Sequence, residues 1–380
     1  VTHSVFFFIE SLEYGGAENI MANIAKFYDK NRFRFSVLSE TDEEPHTPVV
    51  EENCDYKSVT KKQSRFPLLR RARNSIRMRY LMGVSPKLAH RTFVRKKYDL
   101  EVAFCEGFST KFISGCTGCK KVAWVHTDVL NYPWSEKIHG GSEAERKCYE
   151  GYDAIVTVSQ SMRQAFIEKY GMADKVRVLY NPIDFDDIRE KSRQPLPIPK
   201  EDAFTFVLVG SLKPIKGYDR LVRVCARLKD EDFDFRVRIL GSGNEHGKIV
   251  EDIKTLGLED RFLLLPYQDN PFPYVAAADC FVCASYAEGY STTVTEAVVL
   301  GTPVVTTECS GMREIFGEKE CGIICENSEE GLYDGMRKML TSPELRARCA
   351  EQERERAKDF DSGVRMRAIE DFFEQLIGSK

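Results

Sequence analysis

Glu288 and Glu296 stand eight positions apart in the stretch Ser285–Ala297, which reads Ser-Tyr-Ala-Glu-Gly-Tyr-Ser-Thr-Thr-Val-Thr-Glu-Ala. An apolar run ends just before it, and Ser291 or Thr292 is a good N-cap for a helix running to about Leu300. The start of such a helix carries free N–H groups and the positive end of its dipole, so it can hold a diphosphate. Glu296, one turn inside, is placed to accept hydrogen bonds from ribose hydroxyls. Glu288, on the loop, faces whatever the phosphate carries. Either glutamate alone reads as a solvated or capping residue; the pair in this strand-to-helix setting is specific.

Two glycine turns have the same layout. Gly15-Gly16-Ala17-Glu18 follows the first apolar run and opens a helical pattern. It is either a close approach of backbone to an anion or a plain tight turn. Gly210–Asp219 holds Lys216 just before Gly217, where an ammonium can reach a phosphate or simply lie in solvent. Gly241-Ser-Gly243-Asn-Glu-His-Gly247 misses the dinucleotide-binding spacing by one residue.

The elements that must carry these turns are short apolar runs alternating with amphipathic stretches. Strands are expected at 4–9, 33–38, 100–105, 122–125, 154–158 and 176–180. In the second half they are expected at 204–210, 235–240, 262–265, 280–284 and 303–306. Many are β-branched and apolar on both faces, as in a buried parallel sheet. Ile20, Ile24 and Tyr28 form one helical stripe; Leu221, Cys225 and Leu228 form another. The fold class is therefore α/β, with two doubly wound Rossmann-like domains. The expected domains are 1–188 and 203–358, joined by a proline-bearing linker over 189–202. A last helix over 359–380 is expected to cross back to the first domain. A length of 380 residues suits two domains.

The net charge is −4, but residues 1–190 carry 29 basic and 26 acidic side chains, and residues 191–380 carry 26 and 33. From Lys57 to Lys97 there are 14 Lys or Arg and no Asp or Glu, interleaved with Phe66, Leu68, Leu69, Ile76, Met78, Tyr80, Leu81 and Met82. That composition suits an anionic membrane surface. It also suits an anionic acceptor or a solvated helical face. Nucleic acid is not an expected partner. No apolar run is long enough to span a membrane, and the N-terminus does not read as a signal peptide. Twelve Cys without such a signal point to reduced thiols in the cytosol. Cys116-x2-Cys119 and Cys280-x2-Cys283 would each need a third and fourth ligand brought to them to hold zinc, and Cys280 and Cys283 lie in a buried-strand pattern where Cys behaves as a small hydrophobe, so no metal ligand is expected.

With these motifs in hand, the chain resembles the retaining GT-B-fold glycosyltransferases of family 4, over nearly its whole length. The resemblance rests on several segments. They are Gly15–Glu18, Val122-Ala-Trp-Val-His126, Val156–Ser159, Tyr180–Asp184, Lys216-Gly217, Asn270–Tyr274, the Glu288/Glu296 pair and Gly301–Val305. The wording of residues 285–305 looks most like bacterial capsule, lipopolysaccharide or cell-wall polysaccharide enzymes.

The resemblance implies two domains facing a central cleft and transfer of a sugar, with retained configuration, from a nucleotide-diphosphate sugar. UDP is favoured and GDP comes second. The implied acceptor is a saccharide or a polyprenyl-linked glycolipid in surface polysaccharide synthesis. It implies a metal-independent enzyme with no resident cofactor, peripheral on the inner face of the plasma membrane. Glu288, His126 and Lys216 would be catalytic. Gly15, Gly16, Ser211, Lys216, Gly289, Tyr290, Ser291, Thr292 and Glu296 would bind the donor. His126 also reads as a structural histidine. The family usually has Arg where this chain has Ser211, which removes a bidentate phosphate ligand unless Lys213 or another base replaces it. That departure leaves room for a catalytically degenerate binding protein; a nucleotide-sugar epimerase of the same fold is the other alternative.

Overall fold

The computed structural model describes residues 2–61, 67–199 and 202–379. Its contacts divide the chain into two units: Val1–Ile183 with Ser362–Lys380, and Asp184–Asp361.

The first unit is built on a seven-stranded sheet. Its strands are β1 (His3–Ile9), β2 (Phe33–Ser39), β3 (Asp55–Ser58), β4 (Leu100–Ala103), β5 (Lys120–Val125), β6 (Ala154–Thr157) and β7 (Val176–Val178). They lie in the order β3-β2-β1-β4-β5-β6-β7, every pair parallel. The second unit has six strands: β8 (Phe204–Val209), β9 (Phe235–Leu240), β10 (Phe262–Leu265), β11 (Cys280–Cys283), β12 (Val304–Thr307) and β13 (Gly322–Cys325). Their order is β10-β9-β8-β11-β12-β13, again all parallel. In each sheet the strand order reverses once, between β1 and β4 and between β8 and β11. In such sheets a ligand crevice opens at the carboxyl ends of the strands flanking that reversal.

The expected strands form, most of them shifted or trimmed by a residue or two at one end. β3 and β13 were not expected. Both are short outermost strands, β3 is polar in three of its four residues, and neither is buried on both faces as the central strands are.

The helix Ser362–Gly378 belongs to the first unit. Phe373 is fully buried, with its ring 6.1–6.5 Å from those of Phe7, Phe33, Phe35 and Trp124. At its rim, Arg32 donates to Glu370 at 3.0 Å, Asp371 at 2.7 Å and Glu374 at 3.0 Å. The sequence reading closed the first domain at 188 and drew a linker over 189–202. In the structure the helix Phe185–Ser192 already belongs to the second unit and packs on the helices Phe272–Ala276 and Thr292–Leu300. Its buried face, Phe185 and Ile188, is what draws it there. Residues 200–201 of that segment lie outside the described ones.

Candidate functional site

In the second unit, the loops after β8 and β11 meet at the strand-order reversal. Gly217 makes this possible. Its φ is +67°, and a Cβ there would stand 2.0 Å from the Ala284 carbonyl oxygen, so only glycine lets the two backbones approach. Tyr286 N–H donates to Ile215 O at 2.8 Å across the same junction. Arg220, one turn into the following helix, is buried. Its guanidinium donates to Ala284 O at 2.8 and 2.6 Å, Ser285 O at 2.6 Å and Asn327 Oδ1 at 2.8 Å.

That scaffold brings Lys216 Nζ to 2.6 Å from Glu288 Oε1, which also accepts from Ser285 Oγ at 2.6 Å. Burial pulls the Lys216 ammonium down, but the Glu288 carboxylate outweighs it, and its pKa is raised from the ordinary value. Lys216 is thus a cation at neutral pH. Ser291 is the N-cap of the helix Thr292–Leu300: its Oγ accepts from Val294 N–H at 3.3 Å, and Thr295 Oγ1 donates to its carbonyl at 2.8 Å. Gly289 and Tyr290 lie just before the cap, against Gly311. Glu296 is buried inside the first turns, and desolvation lifts its carboxyl to about 7, with no neighbouring charge to offset it. Ser211 is half-buried on the loop after β8, and Lys213 beside it is exposed. Lys216, Glu288, Gly289, Tyr290, Ser291, Thr292, Glu296 and Ser211 therefore all sit on the loops and helix start beyond the carboxyl ends of β8 and β11.

In the first unit, Gly15, Gly16 and His126 also follow the carboxyl ends of their strands, β1 and β5. Gly15 is the N-cap of the helix Gly16–Phe27. A Cβ on it would stand 2.1 Å from a carboxylate oxygen of Glu18, which folds back over the cap. A carboxylate thus lies beside the helix start that the sequence reading reserved for an anion. His126 N–H donates to Glu106 at 2.9 Å; Thr127 Oγ1 (2.5 Å) and Trp134 Nε1 (3.1 Å) donate to the same carboxylate. The His126 ring is nearly parallel to that of Trp124, 6.1 Å away, and 4.9 Å from Phe104. Burial lowers its pKa to about 4, against the smaller opposing pull of Glu106. His126 is therefore neutral at physiological pH, and its buried Nε2 has no hydrogen-bond partner among the described residues. Burial also raises Glu10 and Glu40 to about 7.

Three residues at these sites escaped the sequence reading. Ser285 and Glu106 both stand in strand-to-helix turns, the same signal that identified Glu288. Arg220 lies on an amphipathic helix, where an arginine reads as solvated, and no local signal marks it.

The basic stretch forms the helices Pro67–Gly83 and Pro86–Phe93. Residues 62–66, including Phe66, lie outside the described ones. Leu81 is buried, while Ile76, Met82 and Leu88 are 68%, 51% and 46% exposed. Among the described residues no helix is long and apolar enough to cross a membrane.

Two family models match in tandem: Glycosyltransferase Family 4 over residues 14–187, and Glycosyl transferases group 1 over 188–356. A Campylobacter jejuni protein named N-acetylgalactosamine-N,N'-diacetylbacillosaminyl-diphospho-undecaprenol 4-alpha-N-acetylgalactosaminyltransferase is 32% identical over 233 residues, 60% of this chain and 61% of that protein. The chain spans about three-fifths of the length of the curated relatives it matches (61%, 62% and 57%). Among solved structures, Anabaena HepE in complex with UDP and glucose superposes with a TM-score of 0.78 at 19% identity, covering 98% of this chain and 100% of that one. Sucrose-phosphate synthase from Thermosynechococcus elongatus gives 0.77 at 16% identity, covering all of both chains.

Proposed function

The chain belongs to the family 4 glycosyltransferases of GT-B fold, and we propose that it transfers a sugar, with retained configuration, from a nucleotide-diphosphate sugar to a saccharide or polyprenyl-linked acceptor. The observation that carries this reading is the grouping of Lys216, Glu288, the Ser291-capped helix start and Glu296 at the strand-order reversal of the second sheet.

In this reading the second unit holds the donor. The diphosphate lies on the free N–H groups at Thr292 and Thr293, with Lys216 as its cation. As the glycosidic bond breaks, negative charge grows on the leaving diphosphate, and these groups meet it with preorganised positive potential. That is why we propose that no divalent ion is needed. Glu296 accepts hydrogen bonds from the ribose, and Glu288, paired to Lys216 in the free protein, turns to the donor sugar hydroxyls. Neutral His126 offers a hydrogen bond to a sugar hydroxyl. Retention follows if the sugar leaves and the acceptor attacks on the same face, the leaving phosphate taking the acceptor proton.

UDP is the donor base we favour, supported by the UDP complex of the HepE neighbour. The Campylobacter relative's name specifies alpha transfer to a diphospho-undecaprenol-linked sugar, which supports a polyprenyl-linked acceptor in polysaccharide or glycolipid synthesis. We propose that the first unit takes it, with the basic helices of residues 57–97 against an anionic membrane surface.

The test is a thermal-shift titration of wild type and Glu296→Ala with UDP, GDP, ADP, CMP and NAD. A ligand at 100 times its Kd adds about 2.7 kcal/mol to the native state. A shift with one nucleoside diphosphate, lost in the variant, supports the reading and names the donor class. No shift with any nucleotide overturns the site and favours a non-catalytic binding protein, for which Ser211 is the motivating residue.

A further inference from the structure

At the other end of the first sheet, three chain segments bring metal-ligating atoms together. His90 lies on the helix Pro86–Phe93, Glu101 on β4, and Cys116 and Cys119 on the loop before β5. One donor atom each from His90, Glu101 and Cys116 lies within 4.8 Å of the other two. His90 Nε2 is 2.6 Å from Glu101 Oε2, and Cys116 Sγ is 3.2 Å from Cys119 Sγ. Among the described residues no other group of three such side chains comes this close.

Burial makes the cluster more than a chance meeting. Glu101 and Cys116 are each 3% exposed, and Glu101 sits between Leu100 and Val102, both fully buried. A carboxylate in that setting is costly unless its charge is compensated. His90 accounts for one oxygen. An ordinary ion pair gives no reason for two thiols to gather beside it.

The backbone is arranged for the same meeting. A Cβ on Gly115 would stand 2.2 Å from the Pro86 carbonyl oxygen, so the cysteine loop docks directly on the start of the histidine helix. The donor set of two sulfurs, one imidazole nitrogen and one carboxylate oxygen is of the kind zinc takes in a closed tetrahedral site. It is too soft for calcium or magnesium. In such a site neighbouring donors stand about 3.3 to 3.8 Å apart, given metal–ligand bonds of about 2.0 to 2.3 Å. Cys119 Sγ lies outside the 4.8 Å group, so the side-chain rotations that open the present 2.6 and 3.2 Å edges must also swing this sulfur toward His90 and Glu101.

We infer that His90, Glu101, Cys116 and Cys119 form a structural site for one zinc-class divalent cation, clamping the helix Pro86–Phe93 and the loop before β5 to the start of β4. Binding displaces a proton from each thiol and leaves the metal's oxidation state unchanged. The site is not catalytic: Cys119 and His126 flank the same strand at opposite ends, roughly 20 Å apart at about 3.3 Å per residue. This departs from the sequence expectation that the chain has no metal ligand. Cys280 and Cys283 keep the reading as small hydrophobes: they lie buried on β11 and belong to no such cluster.

The experiment is cobalt(II) titration of the reduced, chelator-treated full chain, followed by absorbance, with zinc content of the freshly purified protein measured in parallel. The expected result is one cobalt per chain, with a thiolate-to-cobalt charge-transfer band and tetrahedral ligand-field bands that zinc abolishes. Cys116→Ser and Cys119→Ser each weaken binding roughly 100-fold or more and diminish the charge-transfer band. Glu101→Gln keeps the sulfur band at reduced affinity, and Cys280→Ser leaves it unchanged. The wild-type spectrum needs no variant, so a misfolded variant does not rescue the idea. Absence of a sulfur–cobalt band in reduced wild type overturns the inference. So does an unchanged band in the Cys116→Ser/Cys119→Ser double variant. A Cys116–Cys119 disulfide that survives reductant, read as a mass 2 Da low, overturns it too and makes the pair a redox element.

Discussion

Lys216 and Glu288 are 72 positions apart in sequence, yet their charged atoms are 2.6 Å apart at the reversal point of the second sheet. Each neutralises the other in the free protein. Under the proposed function, a diphosphate arriving at the helix start would compete with Glu288 for Lys216 and release Glu288 toward the sugar. Donor binding and catalytic positioning would then be coupled through this one ion pair.

Lys216→Met removes the cation proposed to face the leaving diphosphate. Donor-sugar hydrolysis, measured without acceptor, is expected to fall on the order of 100-fold, the scale seen when one preorganised charge-stabilising donor is lost. Melting temperature should move little, since Glu288 keeps the Ser285 hydroxyl as a partner. A rate within threefold of wild type would remove Lys216 from the mechanism.

Glu296 predicts a pH dependence. Its folded carboxyl sits at about 7 against an ordinary 4.5. Below pH 4.5 both states are protonated and it contributes nothing. Between pH 4.5 and 7 the folded state holds the proton more tightly than the unfolded state, so this contribution falls as pH rises. Above pH 7 the cost is about 3 kcal/mol at most. Glu296→Gln should be more stable than wild type at pH 8 and equal to it at pH 4, by denaturant melts. Nucleotide affinity should show the reverse trend. If ribose hydroxyls donate to the carboxylate, binding is strongest above pH 7 and weakens up to about tenfold per unit below it.

Gly217→Ala adds strain twice, through φ of +67° and through a Cβ 2.0 Å from the Ala284 oxygen. A loss of about 2 to 4 kcal/mol is expected, together with loss of nucleotide binding. Gly247 is the control. It lies in the helix His246–Thr255 with nothing within 4 Å of a Cβ, so Gly247→Ala should gain up to about 1 kcal/mol. Equal melting temperatures for the two variants would show that the loop adapts.

Phe373→Ala should cost about 3 to 5 kcal/mol, as expected for emptying a fully buried aromatic position. Arg32→Ala should cost less, because Asp371 and Glu374 are 70% and 40% exposed and the buried Glu370 keeps the Asp29 N–H as a donor. Urea melts of the two variants give the comparison.

Vesicle co-sedimentation tests the basic helices. Wild type should bind phosphatidylglycerol vesicles and release them at high salt. The triple variant Arg71→Glu/Arg73→Glu/Arg79→Glu should lose binding at least tenfold while keeping its nucleotide-induced melting shift. Binding to neutral vesicles of equal strength would point to the exposed Ile76, Met82 and Leu88 instead.

Much of this architecture could be read before the structure. The central strands announce themselves because parallel strands buried on both faces leave unbroken apolar runs, such as Val5–Ile9 and Phe206–Val209. Asp55–Ser58 does not, since Asp55, Lys57 and Ser58 break any apolar run at that edge of the sheet. The cap at Ser291 and the helix stop at Leu300 were legible because capping is local chemistry. The roles of Arg220 and of His90, Glu101 and Cys116 were not, because each depends on partners brought from other segments. The family models meet at residues 187 and 188, where the sequence places the end of the first domain, while the contacts divide the chain at 183, because Phe185 and Ile188 look the same whichever unit buries them.

The Ser362–Gly378 helix has a consequence for the order of events at the ribosome. The first sheet is synthesised before the second, yet its aromatic centre lacks Phe373 and its Arg32 lacks three carboxylate partners until the whole second unit has been added. The second unit, continuous from Asp184 to Asp361, has all its parts sooner. Between these two units the order is therefore inverted: the one begun earlier is completed later. Until then its open aromatic face is the surface on which a chaperone has most to hold.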